Sequence, residues 1–135
     1  MSGDIVQQVL ENVAAPFVKS LGLQLLAHEG DAVTIRLPVT PAIVHGGGVV
    51  CGQALMAAAD TAMVIALCAA LGGFKPMTTA QLNTTFLRPI PGDTPEVRIV
   101  CTVLRRGRTL AFGEIEIVTP EGKLAVHATT TYAFL

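Results

Sequence analysis

The spacing of apolar positions changes several times along this chain, and each change marks a predicted element. Residues 4–20 carry Ile5, Val6, Val9, Leu10, Val13 and Phe17 at helical spacing, with Gly22 placed to end the helix. This predicts an amphipathic helix flanking the core. DAVTIRLPV at 31–39 then alternates, with Val33, Ile35, Leu37 and Val39 on one face and Thr34 and Arg36 on the other, as a half-buried strand requires. Pro38 marks an edge or a strand end. Between Gly52 and Leu71 the periodicity vanishes: GQALMAAADTAMVIALCAAL is apolar on all sides, and Asp60 is its only ionisable residue. Such a helix is either wrapped by other elements or crosses a bilayer. The aspartate near its centre and its richness in alanine favour the wrapped helix. Gly72, Gly73 and Pro76 break the chain, and four β-type segments follow: TTAQLNTTFLRP, EVRIVCTVLR, TLAFGEIEIVT and LAVHATTTYAF. The turns between them, PIPGD, RRGR and PEGK, are short enough to join antiparallel neighbours. One long helix with five such strands implies a curved antiparallel sheet wrapped around the helix, an α+β architecture. At 135 residues, half of them hydrophobic, the chain is expected to form a single domain over 1–135.

Charge and composition narrow the function classes. The net charge is −1 with no basic block, tryptophan is absent and there is one tyrosine, so neither a phosphate-tracking groove nor a base-stacking platform is suggested. Nucleic acid is not an expected partner, and neither is a membrane. The opening MSGDIVQQVLENV places charges where a signal peptide would be apolar, and Cys51, Cys68 and Cys101 are odd in number and lack metal-ligand spacing. A reduced, cytoplasmic protein without a metal is expected. His28 and His127 fall in strand-like segments and are read as structural or exposed side chains.

The candidate chemistry centres on Asp60. An unpaired buried carboxylate costs several kcal/mol, comparable to the stability margin of a small domain, so it requires a partner or a task. It is either a core aspartate bonded to backbone or to Thr61, or a catalytic group. Upstream, HGGGVVCG at 45–52 places glycines where the central helix begins. These either make a tight turn into the helix or expose its first N–H groups, whose dipole suits a carbonyl oxygen gaining negative charge. Glycine at 52 would let a bulky substrate approach the backbone. Asp60 lies eight residues beyond Gly52, about 12 Å along a helix axis. If both act on one carbonyl, the carboxylate must come from a second subunit across a two-fold axis. The catalytic reading therefore predicts an obligate homodimer with two composite sites. Cys51, at the helix N-terminus, is either a small buried hydrophobe or an activated nucleophile. Gln53 bonds the loop or touches substrate. Arg106 and Arg108 flank Gly107 in a turn, and Arg88 precedes Pro89; these arginines are either solvated or grip phosphate.

The stretch 45–61 ending in AADTA, followed by TTAQLNTTFLRP, resembles the hotdog-fold acyl-CoA thioesterases of the phenylacetate-degradation and 4-hydroxybenzoyl-CoA type, and the resemblance runs over about residues 5–134. It implies hydrolysis of an acyl-CoA thioester to free acid and CoA, with CoA as part of the substrate and no cofactor required. In it Asp60 falls at the acidic nucleophile or general base and Gly52 at the carbonyl-polarising amide. His45 falls where relatives carry an asparagine or glutamine that orients water or the thioester, and Thr79 where a serine or threonine positions the attacking water. Arg88, Arg106 and Arg108 fall where the nucleotide or pantetheine of CoA can be met; Cys51 and Gln53, on either side of Gly52, are further candidates for substrate contact. In the resembling enzymes the amide and the acid work across a dimer interface; a homotetramer of such dimers is the expected assembly here, its arrangement left open. The chain departs from the pattern at Cys51-Gly52-Gln53, where relatives read His-Gly-Gly; its own His-Gly-Gly at 45–47 is six residues out of register. Two alternatives stay open: a hydratase or dehydratase of enoyl or 3-hydroxyacyl thioesters using His45 and Asp60, and an acyl-CoA-binding protein without turnover.

Overall fold

The computed structural model describes residues 2–135, with side-chain burial from Val6 onward. Its elements are α1 (Ser2–Asn12), α2 (Pro16–Lys19), β1 (Gln24–Glu29), β2 (Ala32–Pro38), a 3-10 turn at Pro41–Ile43, α3 (Gly52–Leu71), β3 (Met77–Phe86), β4 (Glu96–Arg106), β5 (Leu110–Val118) and β6 (Leu124–Phe134). The strands form one six-stranded sheet in the order β1-β2-β4-β5-β6-β3. Every pairing in it is antiparallel. The expected sheet around a central helix is present: α3 packs on β2, β4, β5, β6 and β3. By length and composition α3 alone would pass for a membrane span. It is instead the core of the domain, with Ala58, Ala59, Ala62, Met63, Ile65, Leu67 and Cys68 all fully buried.

Two expectations need correction. The N-terminal helix is not continuous over 4–20. Ala15 is extended, with ψ at 153°, because the ring of Pro16 disfavours a helical residue before it, and a second short helix starts at Pro16. Val6 and Val9 are buried, whereas Val13 and Phe17 are 50% and 57% exposed. The side chain of Ile5 lies outside the described residues. The sheet also gains a sixth strand, β1, whose alternation is interrupted by a bulge between Leu25 and Ala27, so a period of two is not visible in QLLAHE. Gly22 has the positive φ (71°) suited to ending the helical segment, and Pro38 ends β2.

The approach of α3 to the sheet rests on Gly113. It sits on β5 between the inward positions Ala111 and Ile115, and a Cβ there would fall on the thioether of the fully buried Met63. Gly113→Ala is expected to cost about 1–3 kcal/mol through overpacking, a fall of roughly 3–12 °C in Tm by circular dichroism. An unchanged melt would mean that the flexible end of Met63 gives way to the added methyl.

Candidate active site

Asp60 is half-buried on α3 and held by two hydroxyls from neighbouring strands. Tyr132 Oη on β6 donates to Asp60 Oδ1 at 2.6 Å and lies 3.0 Å from the Asp60 main-chain carbonyl. Thr79 Oγ1 on β3 lies 2.8 Å from Oδ1 and 3.1 Å from Oδ2. Thr61 is not a partner, since its hydroxyl donates to Ala57 O at 2.8 Å. Oδ1 thus receives the tyrosine proton and the closer threonine contact, leaving Oδ2 as the less committed oxygen. Burial first, and then the bonded carboxylate, raise the pKa of the Tyr132 phenol, so it stays a protonated donor at working pH.

The pairing of Thr79 with Asp60 depends on a bulge. Strict alternation back from Phe86, whose ring lies over Gly52, through Thr84 and Leu82 would turn Ala80 toward the helix and Thr79 away. A register shift between Thr79 and Gln81 reverses that parity and delivers the Thr79 hydroxyl to α3. The buried Thr130 supports the bulge by donating to Gln81 O at 2.7 Å. Tyr132 sits between Thr79 and Ala111 in the sheet register, and the small side chain of Ala111 leaves room for its ring.

Gly52 begins α3 at the other end of the same stretch. The N-cap residue, Cys51, makes no side-chain cap hydrogen bond to this helix start. The N–H of Cys51 is already used, donating to Ile43 O at 2.8 Å, while the first-turn N–H groups of a helix have no intrahelical acceptor. A cleft of about 330 Å³ lies beside Gly52, lined among others by Val50, Leu55, Phe86 and Arg88. A Cβ at Gly52 would come 3.2 Å from Phe86 Cζ, so the glycine also serves this packing. His45 works within its own loop: its Nδ1 accepts the Gly47 N–H at 2.8 Å, which fixes the neutral tautomer with the proton on Nε2. A side chain at Gly47 would collide with that ring, and Gly48 has φ at 82°, so two of the three loop glycines are required by the turn itself.

The remaining candidates separate. Thr79 and Asp60 come together; Gly52, Cys51, Gln53 and His45 form a second group at the helix start. Gln53 is exposed and Cys51 is half-buried as the N-cap residue. Cys68 and Cys101 are buried, and desolvation pushes their thiols up to about 11 and about 12, so both stay protonated and unreactive near neutral pH. Arg88 belongs to the Gly52 end, where its Nε donates to Leu124 O at 3.1 Å. Arg106 and Arg108 are exposed in the β4–β5 turn, which is tied to the end of β6 by the Phe134 N–H to Thr109 O bond. That turn is at the Asp60 end of the sheet. His28 Nε2 contacts Gly30 O at 3.1 Å and His127 Nε2 contacts Glu114 at 2.9 Å, both structural roles.

Tyr132 is the residue that sequence reasoning missed. Its one available signal was being the only tyrosine, placed on an apolar strand face where a buried hydroxyl needs a partner. Tyr132→Phe is expected to lower kcat tenfold or more at little change in KM, since a hydrogen bond to a charged group is worth roughly 1.5–3 kcal/mol. A change confined to KM would assign Tyr132 to substrate contact instead.

A family model described as the thioesterase superfamily matches residues 43–126. Solved structures share the fold over almost the whole chain. The conserved protein PA5202 from Pseudomonas aeruginosa is 28% identical at a TM-score of 0.81, covering 93% of this chain and 98% of that one. The E. coli PaaI protein from the phenylacetic acid degradation operon is 21% identical at 0.84, covering 99% and 93%. Thioesterase HI1161 from Haemophilus influenzae is 24% identical at 0.84, covering 96% and 90%. At such identities the last two likenesses are of fold. No curated protein sequence matches significantly. Gly52, Asp60 and Thr79 lie inside the family-matched stretch, whereas Tyr132 and the N-terminal helices lie outside it.

Proposed function

The chain belongs to the thioesterase superfamily and has its hotdog fold, and from that premise we propose that it hydrolyses an acyl-CoA thioester at sites shared between two copies of itself. Superfamily membership supports a thioester hydrolase; the acyl-CoA substrate and the residue roles are our reading. The observation that carries it is the pairing of one hydroxyl-bound carboxylate with one helix start that lacks an N-cap side-chain bond, eight residues apart on the same helix. At about 12 Å of axial separation, neither end of a single chain completes the chemistry.

In this reading the Gly52 N–H of one subunit polarises the thioester carbonyl as negative charge develops on its oxygen. Asp60 of the partner subunit, aimed by Tyr132 and Thr79, either takes a proton from water through Oδ2 or attacks the carbonyl carbon itself. Thr79 is close enough to that oxygen to hold the water, and His45 orients reactants through its remaining Nε2–H. CoA leaves as the thiol; where Asp60 itself attacks, water then cleaves the mixed anhydride to release the acid and restore the carboxylate, and no further cofactor enters the scheme. Arg88 of one subunit and Arg106 and Arg108 of the other are the cations available to the phosphates, with Cys51 and Gln53 flanking the thioester.

Dimerisation is supported by β3. Among the described residues no strand pairs with its outer edge, and its ten residues, MTTAQLNTTF, contain neither charge nor proline. Exposed edges are ordinarily protected by such residues, so a long neutral edge beside Asp60 suits pairing with a second copy. Further pairing into a tetramer and a reduced, cytoplasmic setting belong to the same reading; the three cysteines are all unpaired thiols.

The test is a thiol-release screen over acyl-CoAs of differing acyl group, run on the wild type and on Cys51→Ala. Release above background that Cys51→Ala retains supports a carboxylate mechanism. Tight binding of CoA esters with no release from any of them would make the protein a binder, and loss of release in Cys51→Ala would move the chemistry to the thiol.

A further inference from the structure

A second cavity, of about 210 Å³, opens beside Asp60 between the N-terminal helices and α3. Leu10, Val13 and Val18 line it from the N-terminal segment and Val64 from α3, and its polar lining is Asp60, Thr61 and Tyr132, of which Tyr132 is hydrogen-bonded to Asp60. A mostly apolar lining with a few polar groups is the usual form of a small-molecule site. Among the described residues no other charged one lines it.

We propose that this gap is the acyl pocket of the Asp60 site and that it takes an aliphatic chain of up to about seven carbons. The inference rests on the thioesterase reading and adds the substrate class to it. Three observations carry the proposal. The first is position: a carboxylate that acts on an acyl carbon must stand beside the pocket that takes the acyl chain, and Asp60 lines this cavity.

The second is size. A cavity of roughly 150 Å³ holds a benzene, and a water-sized group, which a methylene resembles, occupies about 30 Å³, so this volume ends a chain near seven carbons. Six of its nine lining residues are valine, leucine or alanine, which reward methylene burial, and its one aromatic ring, Tyr132, is anchored by its hydroxyl on Asp60. The third is exposure: Val13 lines the cavity and is 50% exposed, so the cavity opens to solvent on that side. The N-terminal part of the lining lies outside the family-matched stretch 43–126, so the chain-length limit is set by this protein's own N-terminal segment.

Calorimetry with S-alkyl-CoA thioethers of two to twelve carbons tests the pocket without requiring turnover. Affinity is expected to rise about fourfold per methylene and to level off near seven carbons. Val64→Phe is expected to bring the plateau several carbons earlier. Val13→Trp, at an exposed position that does not endanger folding, is expected to do the same from the N-terminal segment. Affinity independent of chain length, a rise continuing through twelve carbons, a plateau unmoved by both variants, or S-benzyl-CoA binding more tightly than S-heptyl-CoA would each overturn the proposal. Thiol release from hexanoyl-CoA is measured alongside. Its absence in the face of the expected binding profile would sink hydrolysis and leave the pocket assignment standing.

Discussion

Asp60→Asn is expected to lower thiol release by about a hundred- to ten-thousandfold, the range that a positioned general base or acid contributes, with the chain still folded. The substitution is nearly isosteric. The hydroxyls of Tyr132 and Thr79, at 2.6 and 2.8 Å from Oδ1, can donate to an amide oxygen as they do to the carboxylate. What the amide lacks is an oxygen able to accept the water proton or to form an anhydride. The readout is kcat for the best acyl-CoA of the screen beside a circular dichroism melt. Activity of Asp60→Asn within about tenfold of wild type would remove the carboxylate from the chemistry, because loss of a base is expected to cost at least ten times more than that.

Gly52→Pro is expected to lower kcat by about a hundred- to a thousandfold, the cost of removing one oxyanion donor. Proline deletes the N–H and little else at this position. Gly52 is the first residue of α3, where proline is well tolerated, and the preceding Cys51 already has φ −69° and ψ 144°, the extended conformation that a residue before proline prefers. The added Cβ meets only the far end of the half-exposed Phe86 ring. Gly52→Ala brings the same Cβ but keeps the N–H, so it separates crowding from the lost donor.

Mixing the two inactive proteins then tests where the site lies. Random pairing after co-refolding makes half of the dimers hybrid, and each hybrid has one intact site, with Gly52 from one chain and Asp60 from the other. About a quarter of the wild-type rate should return. If each chain carried its own complete site, the mixture would remain as inactive as its parents.

Much of this arrangement is legible from residue order. A helix apolar all round must be enclosed, and α3 is; the strict alternation of 31–39 marks β2 and its buried Val33, Ile35 and Leu37. β1 is hidden because its bulge destroys the period of two, and the break at Pro16 is masked because apolar spacing continues across it. The pairing of Thr79 with Asp60 is foreshadowed only through family resemblance. By alternation alone Thr79 points to the wrong face.

The chain's own order of residues determined that a lone carboxylate would sit two turns into an enclosed helix that begins at a glycine, because burial, helical rise and local backbone freedom are properties of neighbours in sequence. Folding decided what that carboxylate touches. Tyr132 is 72 residues away, Thr79 reaches it through a change of strand parity, and the cavity beside it is walled by a segment from the far end of the chain. Contacts of that kind leave no periodic trace, since they depend on register, bulges and strand order, which arise only when distant segments pair.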